Sequence, residues 1–341
     1  MASNEQQNGL EANKGDNDAM EFVSSDEEKP AEEQEEELHI QEMRVTDRNA
    51  FDVDFNHSRI AKIENLEELT RVENLCLRQN LIKKIENVSM LTTLVELDLY
   101  DNQLTKIENL ETLVNLETLD LSFNRIKKIE NLESLTKIKK LFLVHNKIMK
   151  VENLSHLTQL DMLELGSNRI RAIENMDTLT NLTSLYIGKN KITSLQGLSK
   201  LTNLRILSIQ SNRLLTIEGL DELHLLDQLY ISHNGISKIE GLDKLVNLTT
   251  LDMAGNRISK LENLSHLLEM EEFWFNDNKI SNWEDLKELL PMKKLETVYL
   301  ERNPIWYDPD EPRRGSPHYR RKIMLMLPWL RQIDATYTNQ S

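Results

Sequence analysis

The sequence predicts an α/β solenoid, in which one stack of short repeats forms a single parallel sheet. Three observations predict it. Asparagine recurs every 22 residues from Asn80 to Asn278, with Ser58 in register one unit earlier and Asn303 after a spacing of 25. Two apolar residues around one variable residue precede each of these positions, as in Leu119-Asp120-Leu121. Asparagine, glycine or aspartate stands seven residues after each position from 58 to 278. The period defines about twelve units, each too small to bury its apolar face without its neighbours.

The residue types of one unit predict its course. Two leucines around one variable residue alternate as in a short strand, with the leucines pointing into the core. Stacked strands form a concave parallel sheet, and the recurring asparagines, which we call the ladder asparagines, satisfy backbone groups from one coil to the next. The residue seven places later tolerates left-handed backbone or caps a helix. Leu-x-x-Leu-x-x-Leu follows at helical spacing. Each unit is therefore a strand, a turn, a short helical segment and a return, which is a leucine-rich repeat.

Three segments are predicted along the chain. Residues 1–40 contain 13 Asp or Glu against two Lys, so we expect a disordered acidic tail. In this tail Ser24 and Ser25 each have an acid three residues on, and both are candidate phosphorylation sites. Residues 41–303 hold the repeats, with the segment before Phe51 closing the first coil. Residues 304–341 form a C-terminal cap, because Ser316-Pro317 is a helix-start signal that apolar residues follow at helical spacing.

Composition excludes several classes of function. The single cysteine, Cys76, rules out an intrachain disulfide, and the N-terminus is not of signal-peptide type, so we expect a reducing compartment. No apolar run approaches the length of a membrane span. The net charge of -16 argues against direct nucleic-acid binding. No nucleophile, metal or nucleotide motif is present, and His57, His145 and His233 lie four units apart. We therefore predict no enzyme and no cofactor.

The predicted binding surface is the solvent-facing side of the strands, at positions six, four and two before each ladder asparagine. The column four residues before the ladder carries acids and aromatics but no Lys or Arg. Tyr and Trp are frequent anchors of protein interfaces, and an acidic field around them favours a basic partner surface. The predicted partner-binding residues are Asp98, Asp120, Phe142, Glu164, Tyr186, Tyr230, Asp252, Glu272, Trp274 and Tyr299.

Two motifs connect the chain to a known family. The turn Ile-Glu-Asn-Leu or a close variant recurs at residues 63–66, 85–88, 107–110 and 129–132, and the segment from Tyr319 to Leu330 forms the cap. With the unbroken period and the acidic tail, the chain closely resembles the leucine-rich-repeat regulatory subunits of protein phosphatase 1. The resemblance implies that the concave face binds the catalytic subunit of this serine/threonine phosphatase, in the nucleus and cytoplasm. The short basic-Val-x-aromatic docking motif of other phosphatase-1 ligands is absent, since Asp47 follows Arg44-Val45-Thr46. Binding must therefore come from the folded surface.

Other hypotheses stay open at this point. The period and the cap are shared with a spliceosomal repeat protein and an axonemal dynein-associated one. An adaptor that holds a small RNA-binding protein of a ribonucleoprotein is the alternative function, and it would suit an acidic face equally well. A hydrolase is a third hypothesis, which would require turnover by the purified chain alone. The sequence leaves open whether binding inhibits, redirects or stabilises the phosphatase, and whether a third protein binds the convex side.

Overall fold

The structure, a computed structural model, describes residues 40–338, which form one continuous sheet of fourteen strands. The strands β1 to β12 have three residues each and all run parallel, β13 continues the parallel order, and β14 returns antiparallel. Their bounds are Asp52–Asp54, Asn74–Cys76, Glu96–Asp98, Thr118–Asp120, Lys140–Phe142, Met162–Glu164, Ser184–Tyr186, Ile206–Ser208, Gln228–Tyr230, Thr250–Asp252, Glu272–Trp274, Thr297–Tyr299, Gln332–Ile333 and Thr336–Tyr337. The predicted leucine-rich-repeat solenoid with a parallel sheet is confirmed. The candidate phosphorylation sites Ser24 and Ser25 lie outside the described residues.

Neighbouring coils share one register from β1 to β12. Leu97 of β3 pairs with Leu75 of β2 on one side and with Leu119 of β4 on the other, and the same pairing repeats along the sheet. The central residue of every one of these strands is buried. The apolar core is therefore a set of continuous columns that cross all the coils, and no coil contains a core of its own.

The ladder asparagines join each coil to the preceding one. Asn124 donates hydrogen bonds from Nδ2 to the carbonyl of Leu99 in the preceding coil at 3.0 Å and to that of Leu121 in its own coil at 3.1 Å. Its Oδ1 accepts from the backbone N–H of Leu104, again in the preceding coil, at 2.9 Å. The same three bonds recur at Asn146 and at later ladder positions, so the predicted structural role of these residues is confirmed.

A second set of asparagines, seven residues after the ladder, also connects coils. Its members are Asn87, Asn109, Asn131, Asn153, Asn175 and Asn263, with φ between 55° and 60°. Each donates from Nδ2 to the carbonyl of the residue 24 places earlier, at 2.6 to 2.8 Å. Glycine occupies this position in three coils. At Gly241 the approach forbids a side chain, since a Cβ there would lie 2.4 Å from the carbonyl oxygen of Ile217, whereas at Gly219 the corresponding distance is 3.4 Å. The predicted left-handed backbone is confirmed at these positions.

The helical segment predicted for each unit is wrong for most coils, which contain turns instead. Their hydrogen bonds span three residues, as from the N–H of Leu113 to the carbonyl of Leu110 and from Leu116 to Leu113. A spacing of three matches the three residues per turn of a 3₁₀ helix, so single turns satisfy the same leucine pattern. One such segment, Trp283–Leu289, does extend into a 3₁₀ helix, in the coil with the 25-residue spacing, and a second 3₁₀ helix covers Pro304–Trp306.

Both ends of the apolar core are covered. Met43 is fully buried against the first coil, and its carbonyl accepts a hydrogen bond from Nδ2 of Asn65 at 3.1 Å. At the other end a single α-helix, α1, covers Tyr319–Met326, and Ile323 and Leu327 are fully buried. These contacts remove the apolar ends of the stack from water.

The helix start predicted at Ser316-Pro317, with the serine as the cap, is wrong. The residue before α1 is His318, and no side chain caps the helix. Ser316 lies in the preceding turn, where its Oγ accepts from the N–H of His318 at 3.3 Å. The Ser-Pro pair therefore forms a turn that leads into the helix two residues later than predicted.

Removing one ladder amide should destabilise the stack. Asn168→Ala leaves the buried backbone N–H of Ile148 without its acceptor and removes the 2.8 Å bond to the carbonyl of Leu143, which keeps only a 3.3 Å bond from Asn146. We therefore expect a loss of about 2 to 4 kcal/mol in the free energy of unfolding. Urea titration of the whole chain measures it. The control is Asn181→Ala, which removes one exposed bond to the carbonyl of Thr158 and should cost under about 1 kcal/mol. Equal losses would contradict the ladder's role.

Two glycines at the same repeat position should differ in tolerance to alanine. Gly241 and Gly219 both have left-handed φ, at 67° and 75°, and any Cβ pays about 1 to 2 kcal/mol there. A Cβ at Gly219 would lie 3.4 Å from the carbonyl oxygen of Leu195, whereas at Gly241 the corresponding contact is 2.4 Å. We expect Gly241→Ala to cost about 1 to 3 kcal/mol more than Gly219→Ala in thermal or urea unfolding, because the backbone must move.

Candidate protein-binding surface

Hydrogen-bonded strands bring the predicted binding residues into one column. The last residue of each strand pairs with the last residue of the next, so Asp120 lies beside Phe142, which lies beside Glu164. The same pairing places Tyr230, Asp252, Trp274 and Tyr299 side by side. Since adjacent strands lie about 4.8 Å apart, neighbouring acid and aromatic side chains of this column lie at contact distance. Glu272 begins β11 and is exposed on the same side.

The aspartates of this column have a structural role that the sequence did not reveal. Asp54, Asp98, Asp120 and Asp252 each accept, through Oδ1, a hydrogen bond from the backbone N–H two residues on, at 2.7 to 3.0 Å. This contact ends the strand and begins the turn toward the ladder. The sequence signal for this bond is an aspartate four residues before the ladder. Glu164 occupies the same position but makes no such bond. Part of the acidic pattern is therefore explained by local backbone geometry.

The expectation that all ten residues are exposed is wrong for two of them. Asp98 and Asp252 are only 9% and 8% exposed, because the bond to the following turn holds each carboxylate against the backbone. Asp98 is also paired, since Arg78 Nη1 lies 3.0 Å from its Oδ2. Its charge is therefore already matched inside the chain. Their role in partner binding stays a prediction, as does that of the other eight.

Burial changes the ionisation of the central acids. Desolvation raises the pKa of Asp120 above its ordinary value, although the hydrogen bond from Ser122 opposes the rise. Desolvation also raises the pKa of Glu164, and the nearby charge of Asp120 adds to it. Burial raises the pKa of Asp252 in the same way. In the same column, burial raises the pKa of Cys76 to about 11, so this thiol stays neutral at physiological pH. Because Asp120, Glu164 and Asp252 are partly desolvated, their charged forms are less stable than those of exposed carboxylates, and a cation from a partner would offset this loss.

The aromatic members of the column are half-buried, and two of them form a cluster. The rings of Trp274 and Tyr299 lie 5.3 Å apart between centroids at an angle of 51°. The hydroxyl of Tyr299 accepts a hydrogen bond from Nε2 of Gln332 at 2.8 Å. The buried Nε1–H of Trp274 has no acceptor among residues 40–338, although a buried indole usually finds one. The cluster thus offers ring surface, while the indole N–H lies inside the chain.

A further aromatic group lies one or two residues before the ladder, and the packing of its members was not predicted from the sequence. Phe123 packs between Tyr100, with ring centroids 4.9 Å apart, and His145, stacked at 4.7 Å. The guanidinium of Arg78 lies 4.3 Å from the centroid of the Tyr100 ring. Phe123 and His145 have left-handed φ, as does the residue before every ladder position. The 22-residue spacing of Phe123 and His145 was the one sequence feature that could have predicted this stacking.

The arrangement offers acid and aromatic side chains to a protein surface. Between residues 40 and 338, no cluster of three or more histidine, cysteine or carboxylate side chains could hold a metal ion. Nor does this part of the chain include a helix long and apolar enough to cross a membrane. His57, His145 and His233 are exposed and left-handed, as expected for turn residues.

Comparison with known proteins identifies the repeat and points to one group of relatives. The family model "Leucine Rich repeats (2 copies)" matches residues 92–134, 180–222 and 225–266. Protein phosphatase 1 regulatory subunit 7 of Xenopus tropicalis is 60% identical over 53 residues, which are 16% of this chain and 15% of that protein. The human protein of the same name is 58% identical over 65 residues, 19% of this chain and 18% of its own length. The matched segments thus span less than a fifth of these relatives.

Solved structures agree on the fold. An internalin (inlF) from Listeria monocytogenes has a TM-score of 0.68 at 26% identity, over 84% of this chain and 87% of its own. A leucine-rich-repeat protein from Leptospira interrogans has a TM-score of 0.64 at 22% identity, over 79% and 74%. The fold of the chain is a leucine-rich-repeat solenoid. Its resemblance to the leucine-rich-repeat regulators of protein phosphatase 1 is confirmed by the relatives named above, over the segments that they match.

The buried Asp252 gives a prediction with a definite sign. Its raised pKa means that the folded chain binds a proton more tightly than the unfolded one, so stability falls as pH rises from the unfolded value near 4 through the folded value. Asp252→Asn keeps an acceptor for the N–H of Ala254 and carries no charge. We expect this variant to be more stable than the parent at pH 7, with the difference shrinking toward pH 4, in urea titrations at both pH values. Exposed Asp221→Asn removes the same charge and should show no such trend.

Proposed function

We propose that the chain is a regulatory and scaffolding subunit that binds the catalytic subunit of protein phosphatase 1 through its concave face. In this role it controls the activity or the targeting of the enzyme, in the nucleus and cytoplasm. The relatives named as regulatory subunits of this phosphatase support the identity of the partner. The choice of surface depends on one observation, the shared register of acid and aromatic side chains across neighbouring strands.

The aromatic cluster provides the anchor of the proposed interface. Trp274 and Tyr299 present a joint ring surface, and large aromatics at the centre of an interface often contribute about 2 kcal/mol or more each. Exposed Glu272 lies at the start of the same strand, where it can pair with a basic side chain beside that anchor.

The acids set the charge of the partner surface. Asp120 and Glu164 have raised pKa values because they are desolvated, so a cation placed between them would be bound more strongly than one on an open surface. Asp98 contributes least, since Arg78 already neutralises it. A basic patch on the catalytic subunit fits this face, and the acidic field speeds the encounter with it.

Binding, with no reaction catalysed by the chain itself, is the mode of action we propose. A leucine-rich-repeat solenoid offers a long surface built on hydrogen-bonded strands. Such a backbone is rigid and holds the binding side chains in fixed positions when a partner docks. The regulation of the phosphatase then follows from which part of the enzyme the concave face covers.

Truncating the aromatic cluster tests the proposed interface. Trp274→Ala combined with Tyr299→Ala should weaken binding of the purified phosphatase-1 catalytic subunit by about a thousandfold, because two anchors of roughly 2 kcal/mol are lost. Surface plasmon resonance or calorimetry on the full chain measures the dissociation constant, and circular dichroism checks that both proteins are folded.

The matched control removes exposed apolar side chains from the turns. Val246 and Leu268 are 50% and 52% exposed, and Val246→Ala with Leu268→Ala should leave the affinity unchanged. Retained binding by the Trp274 and Tyr299 double variant would refute the concave site. Absence of binding by the parent chain would refute the proposed function itself.

A further inference from the structure

A second charged surface lies beside the concave face, on the turns that follow the strands. We define the basic edge as the residues one before and one, three and four after the ladder asparagines of five consecutive coils, Asn124 to Asn212. No Asp or Glu occupies any of these positions. Its basic residues are Arg125, Lys127, Lys128, Lys147, Lys150, Arg169, Arg171, Lys189, Lys191 and Arg213.

The cations of the basic edge are mostly unpaired within the described part of the chain. Lys128 lies 4.0 Å from a carboxylate oxygen of Glu130, and none of the other nine forms an ion pair with residues 40–338. Elsewhere the fourth position after the ladder is neutralised by the sixth, as in the pairs of Lys238 with Glu240 and of Lys260 with Glu262. Five coils of like charge therefore lie side by side with a single ion pair to the described residues, although such charges repel one another.

Apolar side chains stand among these cations. Met149 is 61% exposed, Leu215 is 62% exposed and Phe123 is 37% exposed, and each occupies a position of the basic edge. Mixed cation and apolar contacts suit a protein segment that carries both carboxylates and apolar side chains.

The basic edge is narrow and bounded by acids. On the strand side lie Asp120 and Glu164, and on the other side lie Glu130, Glu152 and Glu174, six residues after the ladder. A nucleic-acid duplex is broad, and its second strand would meet these acidic columns. A single extended peptide fits between them. Five coils at about 4.8 Å span roughly 19 Å, which an extended peptide covers with about six residues.

We propose that the basic edge binds an extended acidic segment of a partner protein, with carboxylates on the five cations that follow the ladder and apolar side chains on Met149 and Leu215. The cations directly after the ladder are Arg125, Lys147, Arg169, Lys191 and Arg213. This surface is separate from the concave column, so the chain can hold this segment and another protein at once. The proposal does not depend on the identity of the protein bound to the concave face.

Neutralising alternate cations of the basic edge tests the proposal. A fluorescent glutamate-rich peptide with two leucines is the probe, and its dissociation constant for the full chain is measured by fluorescence anisotropy at low and physiological salt. Arg125→Ser, Arg169→Ser and Arg213→Ser together should weaken binding about tenfold or more, because three ion pairs are lost. Replacing the two leucines of the peptide by serine should also weaken binding.

The same repeat position provides the control. Arg59→Ser, Arg257→Ser and Lys279→Ser remove equal charge at the position directly after the ladder, but in coils outside the basic edge. This triple variant should bind the peptide as the parent does. An equal loss in both triple variants, or no binding by the parent at low salt, overturns the proposal. Tighter binding of polyuridylate, with the same dependence on Arg125, Arg169 and Arg213, overturns it in favour of a nucleic acid.

Discussion

The hydrogen bonds of one side-chain amide per coil hold the whole structure in register. Each coil exposes backbone N–H and C=O groups that its own three-residue strand cannot satisfy, and Asn124 meets those of the preceding coil through both ends of its amide. A second asparagine, such as Asn131, repeats this connection after the next turn. Because two asparagines per coil provide the stacking bonds, the residue types at the solvent-facing strand positions are free to vary. That freedom allows a repeat of constant geometry to carry a specific surface.

Much of the fold could be predicted from the sequence because its determinants are local and periodic. The strands, the ladder and the left-handed asparagines each depend on one residue type at one spacing. The convex turns were misread as helices, since leucines three residues apart are compatible with either structure. The cap helix was predicted, but its start was misplaced, because Ser316 bonds inside a turn that the sequence does not distinguish from a helix cap.

The candidate site was predictable in its register but not in its details. The column from Asp120 to Tyr299 follows from counting residues back from the ladder. Two details could not be predicted in this way, because they depend on side-chain conformations. Asp98 and Asp252 accept hydrogen bonds from their own backbone, and Arg78 neutralises Asp98. The stack of Tyr100, Phe123 and His145 likewise depends on left-handed backbone at positions without glycine or asparagine. The two surfaces that result carry opposite charge, acidic on the strands and basic on the turns after them.

The central claim is that the solvent-facing strand residues, rather than the repeat consensus or the turns, determine what binds the concave face. Hydroxyl-radical footprinting of the full chain, free and with the phosphatase-1 catalytic subunit, tests it most directly, because it reports the exposure of each aromatic side chain. We predict reduced oxidation of Phe142, Tyr186, Tyr230, Trp274 and Tyr299 in the complex, with Val246 and Leu268 unchanged. Unchanged oxidation of the five aromatics in a saturated complex would contradict the account.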